Sequence, residues 1–148
     1  MADFSNERSS FLRNAYVARI ATCGNSRIPH VSPIYFANDS SSIFFATESS
    51  TVKYRDLREN PVASTVVDDF EANWLKEPED KGAHWKTKQR AVIIRGKVSI
   101  FQDGNDQYYV GMYRSLFEKY PDYRAQGWQR GEYPIIQVSA EKITSWGL

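Results

Sequence analysis

The 148-residue sequence predicts a mainly β fold, a small closed or split barrel of six mostly antiparallel strands with helices inserted between them. Two observations carry this prediction. Six runs of strand length, rich in β-branched and aromatic residues, are bounded by turn signals. They follow one another without the regular crossover helices that a doubly wound parallel sheet requires. With 41% apolar and 25% charged residues, the chain is expected to form one domain spanning residues 1–148.

The second strand is predicted to lie at an edge of the sheet. Two prolines fall within residues 28–37, and proline cannot donate to a central ladder. The alternation places His30, Ser32 and Ile34 on one face of this strand. In chain order the sequence predicts a helix at 5–14, strands at 16–22, 28–37 and 43–47 joined as an antiparallel meander, a helix at 50–60, a strand at 62–69, a loop at 70–89, a strand at 91–101 with a bend at Gly96, a helix at 104–120 and a last strand at 135–146.

Composition and charge exclude several classes of function. A net charge of +1 and scattered basic residues predict no nucleic-acid partner, and no apolar run approaches the length of a membrane span. The first ten residues have no apolar signal core, and Cys23 is a single cysteine, so we expect a cytoplasmic protein. His30, His84 and Cys23 do not make a zinc motif, so no metal site is predicted. The adjacent acids Asp68 and Asp69 are predicted to form a solvated turn.

The segment "ATESSTVKYRDLRENP", residues 46–61, has an unusual helix start. Helix starts favour Asp or Glu, because the N-terminal end of the helix dipole is positive, yet this first turn carries Lys53 and Arg55. One interpretation is a phosphate site built from backbone N–H groups, the hydroxyls at 49–51 and Lys53. The other is that Ser49 or Ser50 caps the helix while the cations are solvated or pair with Asp56 and Glu59.

Four segments in order, "FLRNAYVARIAT", "RIPHVSPIYF", "SIFFATESSTVKYRDLRENPVASTVVDD" and "RAVIIRGKVSIF", resemble the pyridoxamine 5′-phosphate oxidase-like family of split-barrel flavoproteins. The resemblance runs from about residue 11 to residue 102, and the closing "KITSW" is similar to the family's final strand. It implies a six-stranded antiparallel split β-barrel that works as a homodimer, with FMN in a cleft at the subunit interface.

The resemblance also implies a set of cofactor-binding residues. By position, Thr47 and Lys53 match the residues that hold the flavin phosphate, and Ser49 and Ser50 lie in the same turn. The remaining implied contacts are His30, Val31 and Ser32 along the isoalloxazine ring, Arg90 near the cofactor, and Trp146, which either approaches the ring from the partner subunit or plugs the dimer interface.

Three departures from the family pattern affect the predicted function. Val52 stands where relatives with the fullest phosphate-binding pattern have a basic residue, which suggests weaker binding or a different phosphate-bearing cofactor. The sequence ends two residues after Trp146, without an arginine-bearing tail, so we expect a substrate other than vitamin B6 phosphate. The 70–89 loop, with Trp74, His84 and Trp85, is expected either to cover the cleft or simply to pack.

The predicted function is that of an FMN-dependent oxidoreductase acting on an unidentified small molecule, with the flavin supplying the redox chemistry. His30 is the candidate acid or base, or else a structural histidine. The first alternative is a deazaflavin-dependent reductase. The second is a non-catalytic flavin- or haem-binding protein, for which His30 or His84 would be the axial ligand.

Overall fold

A computed structural model describes residues 2–72 and 87–148. In these residues eight strands form one antiparallel sheet in the order β2-β1-β5-β6-β7-β4-β3, with β8 also paired to β6. The elements are α1 (Asn6–Asn14), β1 (Val17–Cys23), β2 (Pro29–Tyr35), β3 (Ala37–Asn38), β4 (Ser42–Ala46), α2 (Val52–Glu59), β5 (Val62–Ala72), β6 (Thr87–Phe101), α3 (Gln107–Lys119), α4 (Pro121–Ala125), β7 (Ile135–Ser139) and β8 (Lys142–Trp146).

The predicted mainly β, antiparallel class is confirmed, but the described residues contain eight strands rather than six. The last predicted strand, 135–146, is two strands, because β7 and β8 pair with different halves of β6. The change of partner occurs at Gly96, where an added Cβ would lie 1.6 Å from the Ser139 carbonyl oxygen. The backbone at the end of β7 therefore packs against β6 at a residue that has no side chain to obstruct it.

The predicted meander of the first three strands is wrong in its third member. β1 and β2 form the expected hairpin, whereas β4 pairs with β3 and β7 on the other side of the barrel. The chain leaves β2 at Phe36, whose backbone N–H donates to the hydroxyl of Tyr120 at 2.9 Å. The same hydroxyl lies 2.6 Å from the Phe36 carbonyl oxygen. Tyr120 thus takes the place of a strand partner at the point where the chain turns.

A Tyr120→Phe variant is expected to lose about 1–3 kcal/mol of unfolding free energy, because the buried Phe36 N–H then has no partner. Urea titration followed by circular dichroism measures this loss. Tyr108→Phe is the matched control, since Tyr108 is exposed and its ring lies at the surface. Equal stability of the two variants would show that the Tyr120 hydroxyl does not hold this turn.

β5 and β6 extend beyond their predicted ends, to Ala72 and from Thr87, and the whole of β5 pairs with residues 87–97 of β6. The predicted loop at 70–89 is therefore strand at both of its ends. Its central residues, with Trp74, His84 and Trp85, lie outside the described residues, so the expectation that the loop covers the cleft stays a prediction.

Two groups of buried apolar side chains hold the elements together. The larger group lies between the sheet and helices α1 and α2, and includes Leu12, Phe45 and Leu57. The smaller group packs α3 and the segment after α4 against β4 and β7, around Tyr109 and Trp128. The α2 helix is consequently fixed against the barrel by Leu57, which is fully buried.

Lys119 is the last residue of α3, and its side chain connects this helix to the larger group. Its ammonium donates to the Leu12 carbonyl oxygen at 3.3 Å and lies 4.1 Å from the centre of the Phe36 ring. Burial lowers the pKa of Lys119 to about 8 from 10.5. Between these two values the unfolded chain holds more protons than the folded chain, so this group makes the free energy of unfolding rise with pH.

We therefore expect the unfolding free energy of the parent protein to increase from pH 8 to pH 10 relative to that of Lys119→Met. Parallel denaturant titrations at pH 7.5, 9 and 10 measure the difference. The comparison with the variant cancels the effect of other titrating groups. Identical pH profiles for the two proteins would contradict the prediction.

Candidate functional site

Strand β2 is an edge strand, as the two prolines predict, and in the described residues it pairs only with β1. An edge strand leaves the N–H and C=O groups of alternate residues open to a ligand or another chain. His30 and Ser32 are half-buried on the inner face, whereas Val31 is 62% exposed on the outer face. The Ser32 Oγ is buried and, within the described part of the chain, has no hydrogen-bond partner.

The turn between β4 and α2 is built around two threonines. The backbone N–H of Thr47 donates to the Pro134 carbonyl oxygen at 3.2 Å, and the hydroxyls of Thr47 and Thr51 lie 3.1 Å apart. Thr51 caps α2, because its Oγ1 accepts from the Tyr54 N–H at 3.3 Å. The interpretation that Ser49 or Ser50 caps the helix is therefore wrong. Both serines are exposed, and neither hydroxyl has a hydrogen-bond partner among the described residues.

Lys53 lies in the first turn of α2 and is half-buried. Among the described residues no carboxylate lies within ion-pair distance of its ammonium, whereas Arg55 has Asp56 at 3.8 Å. Burial lowers the pKa of Lys53 below its ordinary value. A desolvated cation without a counter-ion costs free energy in a folded protein.

A buried hydrogen bond fixes α2 against the first two strands. Asp56 is 2% exposed and accepts from the Thr22 hydroxyl at 2.9 Å. Thr22 lies directly opposite His30 in the β1–β2 ladder, and α2 packs against both strands. These contacts link α2, which follows the 47–53 turn, to the strand that carries His30, and these two segments are one part of the predicted site.

Arg90 and Trp146 form a second, separate part. Trp146 is 41% exposed and faces Ala91 in the β6–β8 ladder. Arg90 forms an ion pair with Asp69, which stands directly opposite it in the β5–β6 ladder. The Arg90 guanidinium also lies 5.3 Å from the centre of the Phe11 ring. Asp69 is in a strand, so the predicted solvated turn at Asp68 and Asp69 is wrong.

Arg90 lines a cavity of about 680 Å³ between α1 and the strands β1, β5 and β6. None of the residues 30–32 or 47–53 lines this cavity. Of the predicted site residues, Arg90 alone lines it. The sequence does not predict the contact of Phe11 with Arg90, the ion pair of Arg90 with Asp69, or the capping role of Thr51. Only Thr51 had a local signal, since threonine is a favoured capping residue.

Within residues 2–72 and 87–148 no cluster of three or more His, Cys, Asp or Glu side chains is arranged to hold a metal ion. In the same part of the chain no helix is long and apolar enough to cross a membrane.

The family model for pyridoxamine 5′-phosphate oxidase matches residues 4–147. The chain belongs to the pyridoxamine 5′-phosphate oxidase family. A search of the curated proteins gives no match. The fold is the split barrel of the pyridoxamine 5′-phosphate oxidase-like proteins, which confirms the resemblance seen in the sequence.

Three solved structures illustrate how widely this fold is shared. A conserved hypothetical protein of Mycobacterium tuberculosis is 20% identical with a TM-score of 0.72, covering 99% of this chain and 88% of that one. HutZ, the haem storage protein of Vibrio cholerae, is 14% identical with a TM-score of 0.71, covering 97% and 94%. An F420 reductase is 21% identical with a TM-score of 0.62, covering 95% and 98%. At these identities the likeness establishes the fold, and the ligand has to be argued from the site.

Proposed function

We propose that this chain binds FMN and uses it as the redox cofactor of an oxidoreductase acting on a small molecule. The observation that carries the proposal is Lys53, a half-buried cation without a counter-ion in the described structure, at the start of α2. The open hydroxyls of Ser49 and Ser50 precede it in the same turn.

The flavin phosphate would lie on the first turn of α2. The first N–H groups of a helix have no partner within it, and the helix dipole favours an anion there. Thr47 and Thr51 fix the turn through their paired hydroxyls, which leaves Ser49 and Ser50 to donate to phosphate oxygens. Lys53 would supply the point charge. This donor set suits a phosphate monoester.

The isoalloxazine ring would lie along β2. The open edge of that strand presents backbone N–H and C=O groups, which match the alternating donors and acceptors on a flavin ring edge. Ser32 adds a buried hydroxyl that has no hydrogen-bond partner among residues 2–72 and 87–148, and His30 lies two residues away on the same face. These residues would bind and orient the ring.

A second copy of the chain would complete the site. Arg90 lines a cavity that none of residues 47–53 lines, so it would approach the flavin from the partner subunit of a homodimer, and Trp146 would do the same. The outer face of β1 and β2 supports an interface, since Val17, Val31 and Tyr35 are each at least 40% exposed there.

When bound, FMN supplies hydride or electron-pair transfer to or from the substrate. The chain's own residues bind the phosphate, orient the ring and exclude water from one of its faces. His30, on the strand that would carry the ring, is the candidate acid or base.

Val52 favours a second candidate, a deazaflavin in place of FMN. It is 40% exposed at the first position of α2, so the phosphate turn carries one cation instead of two adjacent ones. One of the similar structures is that of an F420 reductase.

The visible absorption spectrum of the freshly purified protein, followed by titration with FMN, tests the proposal. We expect flavin absorption bands or saturable quenching of FMN fluorescence, and a dimer by size-exclusion chromatography with light scattering. Titration with F420 and with haem under the same conditions separates the alternatives. Binding of either one without binding of FMN would overturn the FMN proposal.

A further inference from the structure

We propose that the cavity beside Arg90 binds a neutral, flat aromatic molecule and discriminates against anionic ones. That such a molecule is the substrate of the flavin rests on the proposed function, whereas its binding to the cavity does not require the flavin.

The size and lining of the cavity suit a molecule of one to three fused rings. Its volume of about 680 Å³ lies within the range of small-molecule sites. Apolar groups come from the end of α1 and the start of β1, namely Phe11, Ala15, Tyr16 and Val17. Burial of a ring against these groups provides the main driving force for binding.

The cationic groups of the cavity are already neutralised by the chain. Arg19 forms an ion pair with Asp68 at 2.5 Å, and Arg90 forms one with Asp69. An incoming carboxylate or phosphate would have to compete with these aspartates for the guanidinium donors, and it would face the exposed charge of Glu7 as well. The cavity therefore offers an anion no uncompensated charge, in contrast to the Lys53 turn.

Arg90 also provides a fixed planar surface. The Phe11 ring lies against the guanidinium at 5.3 Å, and Asp69 holds its edge from the opposite strand. A guanidinium plane restrained in this way stacks on aromatic rings. A neutral ring gains this contact without competing with Asp69 for the guanidinium donors.

Two naphthalene derivatives of similar size test the inference: the neutral 2-naphthylmethanol and the anionic 2-naphthoate. We expect isothermal titration calorimetry on the full chain to give a Kd for the alcohol about tenfold lower than for naphthoate. Asp69→Asn leaves Arg90 without its counter-ion, so naphthoate affinity should rise by about tenfold. Glu118→Gln removes an exposed negative charge outside the cavity and should change neither affinity.

Naphthoate binding the parent protein as tightly as the alcohol would overturn the inference, as would an unchanged naphthoate affinity in Asp69→Asn. Arg90→Gln removes the stacking surface and should weaken alcohol binding at least severalfold; unchanged binding would also overturn it. Displacement of the alcohol by saturating FMN would show that the cavity belongs to the flavin. If the chain binds the alcohol and no flavin, the cavity assignment stands and the proposed function fails.

Discussion

A Gly96→Ala variant is expected to lose about 3 kcal/mol or more of unfolding free energy, which is a large part of the stability of a domain of this size. The new Cβ would lie 1.6 Å from the Ser139 carbonyl oxygen and 2.8 Å from its carbonyl carbon. Both atoms belong to the backbone, so no side-chain rotation relieves the overlap. β7 or β8 would have to leave β6.

Gly111→Ala is the matched control for this prediction. Gly111 lies inside α3, and an added Cβ meets nothing within 4 Å. The same substitution should therefore stabilise the protein by about 0.5–1 kcal/mol, through the higher helix propensity of alanine. Urea unfolding of the two variants measures both effects. A Gly96→Ala protein as stable as the parent would show that the backbone of Ser139 does not lie so close to Gly96.

The sequence predicts much of this fold because its strands are marked locally. Turn residues bound the strands, the two prolines identify β2 as an edge, and Gly96 is recognisable as a bend. The division of residues 135–146 into β7 and β8 has no such mark, because no Gly, Pro, Asn or Asp stands among residues 139–142. The boundary between β7 and β8 depends on where each of them pairs along β6, which only the assembled barrel defines.

The candidate site also has a part that the sequence predicts and a part that it does not. The turn at Thr47–Lys53 is local, so its strand end, hydroxyls and cation could be predicted from one short segment. The pairing of Arg90 with Asp69 depends on the register of two strands separated by a long connection. Similarly, the hydroxyl of Tyr120 reaches a residue 84 positions away. No local pattern contains either contact.

A Lys53→Ala variant is expected to bind FMN about ten to a hundred times more weakly than the parent protein. A hydrogen bond to a charged group contributes about 1.5–3 kcal/mol, and each 1.4 kcal/mol is a factor of ten in Kd. Fluorescence titration of FMN measures the change. Lys97→Ala is the control, because the Lys97 side chain is 80% exposed on β6 and lies outside the phosphate turn.

Two further measurements separate a phosphate role of Lys53 from a structural one. Burial lowers the pKa of Lys53, so its charge costs folding free energy, and the unfolding free energy of Lys53→Ala should equal or exceed that of the parent.

Val52→Arg places a second cation on the same exposed turn and should tighten FMN binding by about two- to tenfold, an effect that added salt reduces. Weaker FMN binding by Lys53→Ala and tighter FMN binding by Val52→Arg, without a loss of stability in either variant, would be consistent only with an anion bound at this helix start. A destabilised Lys53→Ala protein that keeps its FMN affinity would instead make Lys53 a packing residue.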